Sequence, residues 1–142
     1  MAHPWHHAVS SARKWGGVPE DYVEIHSFFD QSKSGLSDFR HRAMLHHTEG
    51  IFLAERVFGV TVTISAGKQH TAETCPGRPC GSECDHFEPT QIPVRWVGEQ
   101  HVQEDLGCIP SLADWVTRIG PQPWMNRSRR LSRELEQEVK TE

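Results

Sequence analysis

The sequence is short of several things, and each shortage closes off a class of function. No window approaches the roughly 18 consecutive apolar residues of a membrane span, and the start Met1-Ala2-His3-Pro4-Trp5-His6-His7 has neither the basic residues nor the apolar run of a secretory signal. A cytoplasmic location is therefore expected, with no membrane partner. Positive charge is not in excess: the formal net charge is −4 at pH 7 with ten His counted neutral, so any contact with nucleic acid must be local. There is no H-E-x-x-H, no glycine-rich phosphate loop and no nucleophile elbow, which removes the commonest catalytic signatures. Apolar residues make up only 36% of the 142, yet five Trp and six Phe bury large areas, enough for one core without disulfide staples.

Cysteine is also scarce, with four in the chain, but Cys75, Cys80 and Cys84 crowd into ten positions while Cys108 stands apart. In a reducing compartment such crowding reads as metal ligation more readily than as a disulfide framework. Gly77 and Gly81 allow the tight turning that points thiolates inward, and zinc requires a fourth ligand, for which His86 is favoured over His70. The spacing C-x4-C-x3-C matches no common zinc-finger pattern.

Periodicity predicts a mainly α fold with a small β-hairpin: a single-domain helical bundle carrying a zinc-binding loop. Trp5, Val9 and Ala12 mark a first helix from His3 to Trp15, closed by Gly16-Gly17 and Pro19. Tyr22, Ile25, Phe28 and Phe29 mark a second from Asp21 to about Lys33. Asp38 is expected to cap one long third helix with Met44, Ile51, Ala54 and Phe58 on its core stripe and Leu45, Phe52 and Leu53 widening it. Alternating β-branched residues then predict strands at 60–64 and 92–97, joined by an elaborated loop too polar and broken to be ordered by burial. Short helices follow over 99–106 and 111–119. The domain is expected over 1–125, with the zinc loop 66–91 inserted, and 126–142 as a charged helix or tail.

The histidines form a second pattern. His26 falls among Tyr22, Ile25 and Phe29, and His47 falls between Met44 and Ile51, so both are expected on apolar faces of consecutive helices. His7 and His101 could converge on the same place, giving a metal centre of three or four imidazoles. The alternative is that each ring is a core histidine bonded to a carbonyl or to a carboxylate such as Asp30, Glu49, Glu55 or Asp105. His41, His46 and the exposed member of His6-His7 are expected at the surface. Imidazole-rich ligation would suit zinc, iron, nickel or manganese.

The segments His41-Arg42-Ala43, His46-His47-x-x-Gly50-Ile51-Phe52, Glu55, Phe58-Gly59, Gly98-Glu-Gln-His101-Val102 and Glu104-Asp105-Leu-Gly107 resemble, in their order, a family of small uncharacterised His-rich bacterial and phage proteins. So do Lys14-Trp15-Gly16-Gly17, Asp114-Trp115 and Gln122-Pro-Trp-Met125. The resemblance covers most of residues 1–125 and implies an architecture, with the helical histidines as the shared feature and the cysteine loop as an added module.

Two functions compete. One is a zinc-binding accessory or adaptor protein that binds a protein or ribonucleoprotein partner. Trp96, Trp115, Trp124 and a Leu131, Leu135 and Val139 stripe would offer contact surface, including for a homodimer. Arg127, Arg129, Arg130 and Arg133 could touch nucleic acid, though the interleaved Glu134, Glu136 and Glu138 read as a solvated helix. The other is a metal-dependent hydrolase or nuclease with the ion on His7, His26, His47 and His101 and with Glu55 or Glu99 as base. The loop itself is testable: wild type and Cys80→Ser should differ by about one zinc per chain in elemental analysis, and equal contents would remove Cys80 from any site.

Overall fold

In the computed structural model the described residues are 3–67 and 90–126. Cys75, Cys80, Cys84, His70 and His86 lie outside them, as does the tail with its arginines and its Leu131, Leu135 and Val139 stripe. The chain divides into two compact units, 1–112 and 113–142.

The first unit is helical. Helix α1, Pro4–Trp15, starts where Pro4 tolerates the missing donor of a first turn, and the His3 side chain accepts from Trp5 N–H at 3.2 Å. Its buried residues, His7, Ala8 and Ser11, form one stripe. A 3-10 turn, Pro19–Asp21, leads into α2, Val23–Asp30, whose buried set is Ile25, His26, Phe29 and Asp30. Two more 3-10 turns, Gln31–Ser34 and Phe39–Met44, precede α3, Thr48–Phe58. Strands β1, Thr61–Thr63, and β2, Gln91–Pro93, pair antiparallel with Val62 opposite Ile92, and α4, Val94–Leu106, follows at once. Helices α1 and α2 pack together, as do α3 and α4, and α2 also packs on α4. In the second unit the described residues form the end of α5, Leu112–Val116, and a turn, Pro123–Asn126. Among the described residues no helix is long and apolar enough to cross a membrane.

The mainly helical class and the single hairpin agree with the sequence, and two element boundaries do not. The long helix expected from Asp38 is broken at 45–47. A 3-10 turn ends at Met44, and α3 begins only after His47, whose Nδ1 accepts from Gly50 N–H at 3.0 Å as an N-cap. The break rotates the two halves relative to one another, so Met44 is 61% and Phe52 50% exposed where a continuous stripe would have buried them. It also brings the backbone of Leu45 against α3: a Cβ added at Gly50 would lie 1.9 Å from the Leu45 carbonyl oxygen. The second correction concerns the 92–97 strand, which stops at Pro93. Val94 to Val97 are helical because Val94, Val97 and Gly98 are all buried against the bundle, and that packing outweighs the β preference of the valines.

Gly98 governs how close α4 comes to α2, since a Cβ there would sit 2.9 Å from Phe29 Cζ. The core around that contact is unusual. Among the described residues twelve apolar side chains are buried together with nine polar ones, and six of the nine are histidines. Polar groups taken from water need partners inside the fold, so this core depends on specific pairing as well as on area. Gly50→Ala should destabilise the fold by about 3 kcal/mol, the upper range for overpacking against atoms that cannot yield. Chemical denaturation measures it, and a loss under about 0.5 kcal/mol, the level of a neutral surface change, would contradict the close approach.

Candidate metal centre

The buried polar groups converge. His46 Nε2 lies 3.0 Å from Asp105 Oδ2 and 3.8 Å from Asp30 Oδ1. His101 Nε2 lies 3.2 Å from His46 Nε2, 3.6 Å from Asp105 Oδ2 and 3.8 Å from Asp30 Oδ1. One donor atom from each of these four residues falls within 4.8 Å of all the others. Four donors bound at 2.0 to 2.1 Å around a tetrahedral ion stand about 3.3 Å apart, and the five separations above bracket that edge. The cluster can hold a metal ion.

Different elements deliver the four donors. Asp30 is the last residue of α2, next to Phe29 in the core. His46 sits in the break before α3, where the chain turns inward. His101 and Asp105 are four apart on α4 and so share one face, the face that Gly98 lets close on α2. All four side chains are 5% exposed or less.

A second layer surrounds them. Lys33 Nζ is 2.7 Å from Asp30 Oδ2, and Arg42 Nη2 is 3.2 Å from Asp105 Oδ1, so each carboxylate has a cation on the oxygen facing away from the cluster. His41 is fixed by an Nδ1–H bond to the Asp38 carbonyl at 2.7 Å and turns Nε2 to Asp30 Oδ1 at 3.3 Å. His7 donates Nδ1–H to Glu104 at 2.6 Å and brings Nε2 to 3.4 Å from Asp105 Oδ1, off the line of a hydrogen bond. A ligand imidazole usually has its second nitrogen tied to a carboxylate or a carbonyl, and His7 and His41 carry that arrangement.

The electrostatics follow from burial and proximity. Burial raises the Asp105 carboxyl, but the hydrogen bond to His46 Nε2, the close approach of His7 and the Arg42 guanidinium bring it well below the ordinary carboxylate range. Asp30 is likewise held low against burial by His101 and Lys33. Burial pushes His26 down to about 2, aided by His101 and His7, and it also lowers His46 and His101 against the pull of the carboxylates. Burial pulls His7 down too, yet Asp105 and Glu104 more than offset it and its pKa is raised. Ionised acids facing neutral imidazoles are the protonation states a divalent cation needs.

A family described as a domain of unknown function, DUF6915, matches residues 2–77 and 77–125. The chain belongs to this family. No curated protein and no solved structure matches the chain.

Of the helical histidines expected to ligate, His101 lies in the cluster and His7 at its edge. His26 stands one layer out, with Nδ1 3.0 Å from His101 Nδ1 and Nε2 2.8 Å from Ser11 Oγ. His47 is buried but takes no part: its Nε2–H donates to the Met44 carbonyl at 2.9 Å and its Nδ1 caps α3, so both nitrogens are committed to backbone. His41 and His46, expected at the surface, are 2% and 0% exposed. The sequence reading offered Asp30 and Asp105 only as partners of core histidines. The signal that could have promoted them is the four-residue step, His26 to Asp30 and His101 to Asp105, which puts a carboxylate beside an inward imidazole on each helix.

The lowered histidines fix a pH response. A histidine whose folded pKa lies below its unfolded value contributes stability that is present above about pH 6.5 and is lost as the pH falls toward the folded value. For His26 that window runs from 6.5 down to about 2. Metal-free protein in chelator should therefore lose stability from pH 7 to pH 5, by up to about 1.4 kcal/mol per pH unit for each proton taken up on unfolding. Thermal melts across that range test it, and a constant midpoint would mean that the rings bind protons in the fold as readily as in the unfolded chain.

Proposed function

We propose that this protein is a metal-dependent hydrolase whose ion, zinc by our assignment, is held by Asp30, His46, His101 and Asp105. The observation that carries the reading is the convergence of these four donor atoms within 4.8 Å. Two nitrogens and two carboxylate oxygens without thiolate suit a borderline divalent ion, and two carboxylates balance its charge in a dry interior. Such an ion would supply Lewis acidity toward a carbonyl or phosphoryl oxygen on taking that oxygen as a further ligand.

The residues beside the cluster fit that chemistry. A hollow of about 640 Å³ lies between the 31–34 and 39–44 turns and is lined by Ser32, Arg40, His41 and Met44 among others. The His41 ring stands between this hollow and Asp30, its Nε2 3.3 Å from Oδ1. Because Nδ1–H is spent on the Asp38 carbonyl, Nε2 is the His41 nitrogen turned to Asp30 and the one through which the ring would exchange a proton. The Ser32 hydroxyl holds the His41 carbonyl at 2.9 Å and so fixes the backbone that carries the ring. Arg40 at the rim is paired with Asp38 and gives the mouth a cation.

A second reading, an accessory protein or a homodimer, draws support from a different surface. Phe52, Leu53 and Val57 on α3 are exposed, as is Val60 just beyond it, and Arg95 lies over the Phe52 ring at 4.8 Å while pairing with Glu55. Exposed large apolar side chains grouped on one helix are the kind of surface that serves as a contact site.

Reconstitution with Zn, Mn, Fe or Ni, followed by hydrolysis assays on generic phosphoester and ester substrates, separates the readings. Turnover should appear in at least one metal form. His46→Ala and Asp105→Asn should each weaken metal binding and turnover by more than the roughly 100-fold that loss of a supporting partner causes. A metal-loaded protein with no turnover, whose sedimentation shows a dimer that Phe52→Glu dissociates, would favour the accessory reading instead.

A further inference from the structure

We infer that Ser11 and His26 are positioning residues for His101: a one-way chain of hydrogen bonds running from Glu104 through Gln100, Ser11 and His26 fixes the His101 proton on Nδ1 and turns its Nε2 lone pair into the cluster. The inference rests on the metal-centre reading for its purpose, though not for its geometry.

Glu104 sets the direction. Both its oxygens serve as acceptors, Oε1 for the Ser10 hydroxyl and Oε2 for His7 Nδ1–H. The Gln100 amide lies 2.8 Å from Glu104 Oε1, which must therefore be met by the amide nitrogen, and that places the Gln100 oxygen toward Ser11. An amide oxygen cannot donate, so the Ser11 hydroxyl, 3.3 Å away, gives its proton to it. With its proton spent, Ser11 Oγ can only accept across the 2.8 Å contact to His26 Nε2, and His26 carries its proton on that nitrogen. His26 Nδ1 is then a lone pair. The 3.0 Å contact between the two Nδ1 atoms requires one donor, which must be His101. His101 Nε2 is left without a proton, 3.2 Å from His46 Nε2 and facing the oxygens of Asp30 and Asp105.

Reversing any link would set two acceptors against each other at hydrogen-bond distance. Ser11, His26 and His101 are all 0% exposed, so no bulk water is at hand to repair such a clash. The His101 ring also stacks on Phe29, with centroids 5.0 Å apart at 22°, which fixes its plane while the chain fixes its tautomer. Glu104 is the common origin of two orientations. Its Oε2 takes His7 Nδ1–H directly, and its Oε1 governs His101 through three intervening groups. A carboxylate thus acts on a ligand it does not touch, where a metal-bound histidine ordinarily has the carboxylate on its own second nitrogen.

The test uses the full chain uniformly labelled with 15N. Two-bond 1H–15N correlation spectra in chelator should show His101 as the Nδ1–H tautomer and His26 as the Nε2–H tautomer; His101 protonated on Nε2, with His26 protonated on Nδ1, would overturn the chain. Ser11→Ala, checked for folding by circular dichroism, should mix the tautomers of both rings and weaken Zn or Co binding about 10- to 100-fold, with Ser11→Thr restoring both. Unchanged tautomers and affinity in folded Ser11→Ala would likewise overturn it. The expected tautomers in a wild type that takes up neither Zn nor Co would support the chain and overturn the metal centre, so the two failures are distinct.

Discussion

Two ionised carboxylates, Asp30 and Asp105, are buried within reach of the same imidazoles, and much of the bundle serves to make that tolerable. An isolated charge removed from water costs several kcal/mol even after relaxation. Lys33 and Arg42 neutralise the outer oxygen of each acid, His7 of α1 reaches the outer oxygen of Asp105, and histidines from the 39–47 segment and α4 surround the inner ones. The partial neutralisation is asymmetric. The outer oxygens have full cations, while the inner oxygens face rings whose burial keeps them neutral. The deficit of positive charge therefore lies inside the cluster, where the donor atoms are closest.

This arrangement explains why small residues sit where they do. Gly98 and Phe29 set the distance between α2 and α4 that brings His101 to Asp30, and Gly50 lets the Leu45 backbone turn in and deliver His46. Neither glycine touches the cluster. Their effect passes through backbone approach, so the site depends on helix separation as much as on its own side chains. The apolar core, from Ala8 and Ile25 through Val97 and Val102, is correspondingly modest and is interleaved with polar contacts rather than separate from them.

The helices and the hairpin were legible from periodicity because α1, α2 and the 61–63 and 91–93 strands present regular faces. The 38–58 segment was not, since its composition fits a continuous helix and only a contact distant in space reveals the break. That single error carried into the site: on an unbroken helix His47 faces the core, whereas the turn at 45–47 presents His46 and leaves His47 to cap α3. His41 was hidden for the same reason, as a 3-10 turn has a different angular step from the helix assumed. His7, His26 and His101 were found because they lie on helices whose frame was right. Asp30 and Asp105 follow from those same frames, yet charged residues on an apolar face read more readily as hydrogen-bond partners than as ligands.

The pairing of His101 and Asp105 on adjacent turns of α4 bears on the order of folding. Two donors four residues apart close a loop of negligible entropy, whereas His46 and His101 are 55 positions apart in the chain. Helix formation is limited by its first turn, with a nucleation factor on the order of 10⁻³. An ion gripped by this pair in the unfolded chain would hold one turn of α4 ready-made, so a metal that bound here would act at the start of folding as a nucleus, with Asp30 and His46 arriving afterwards.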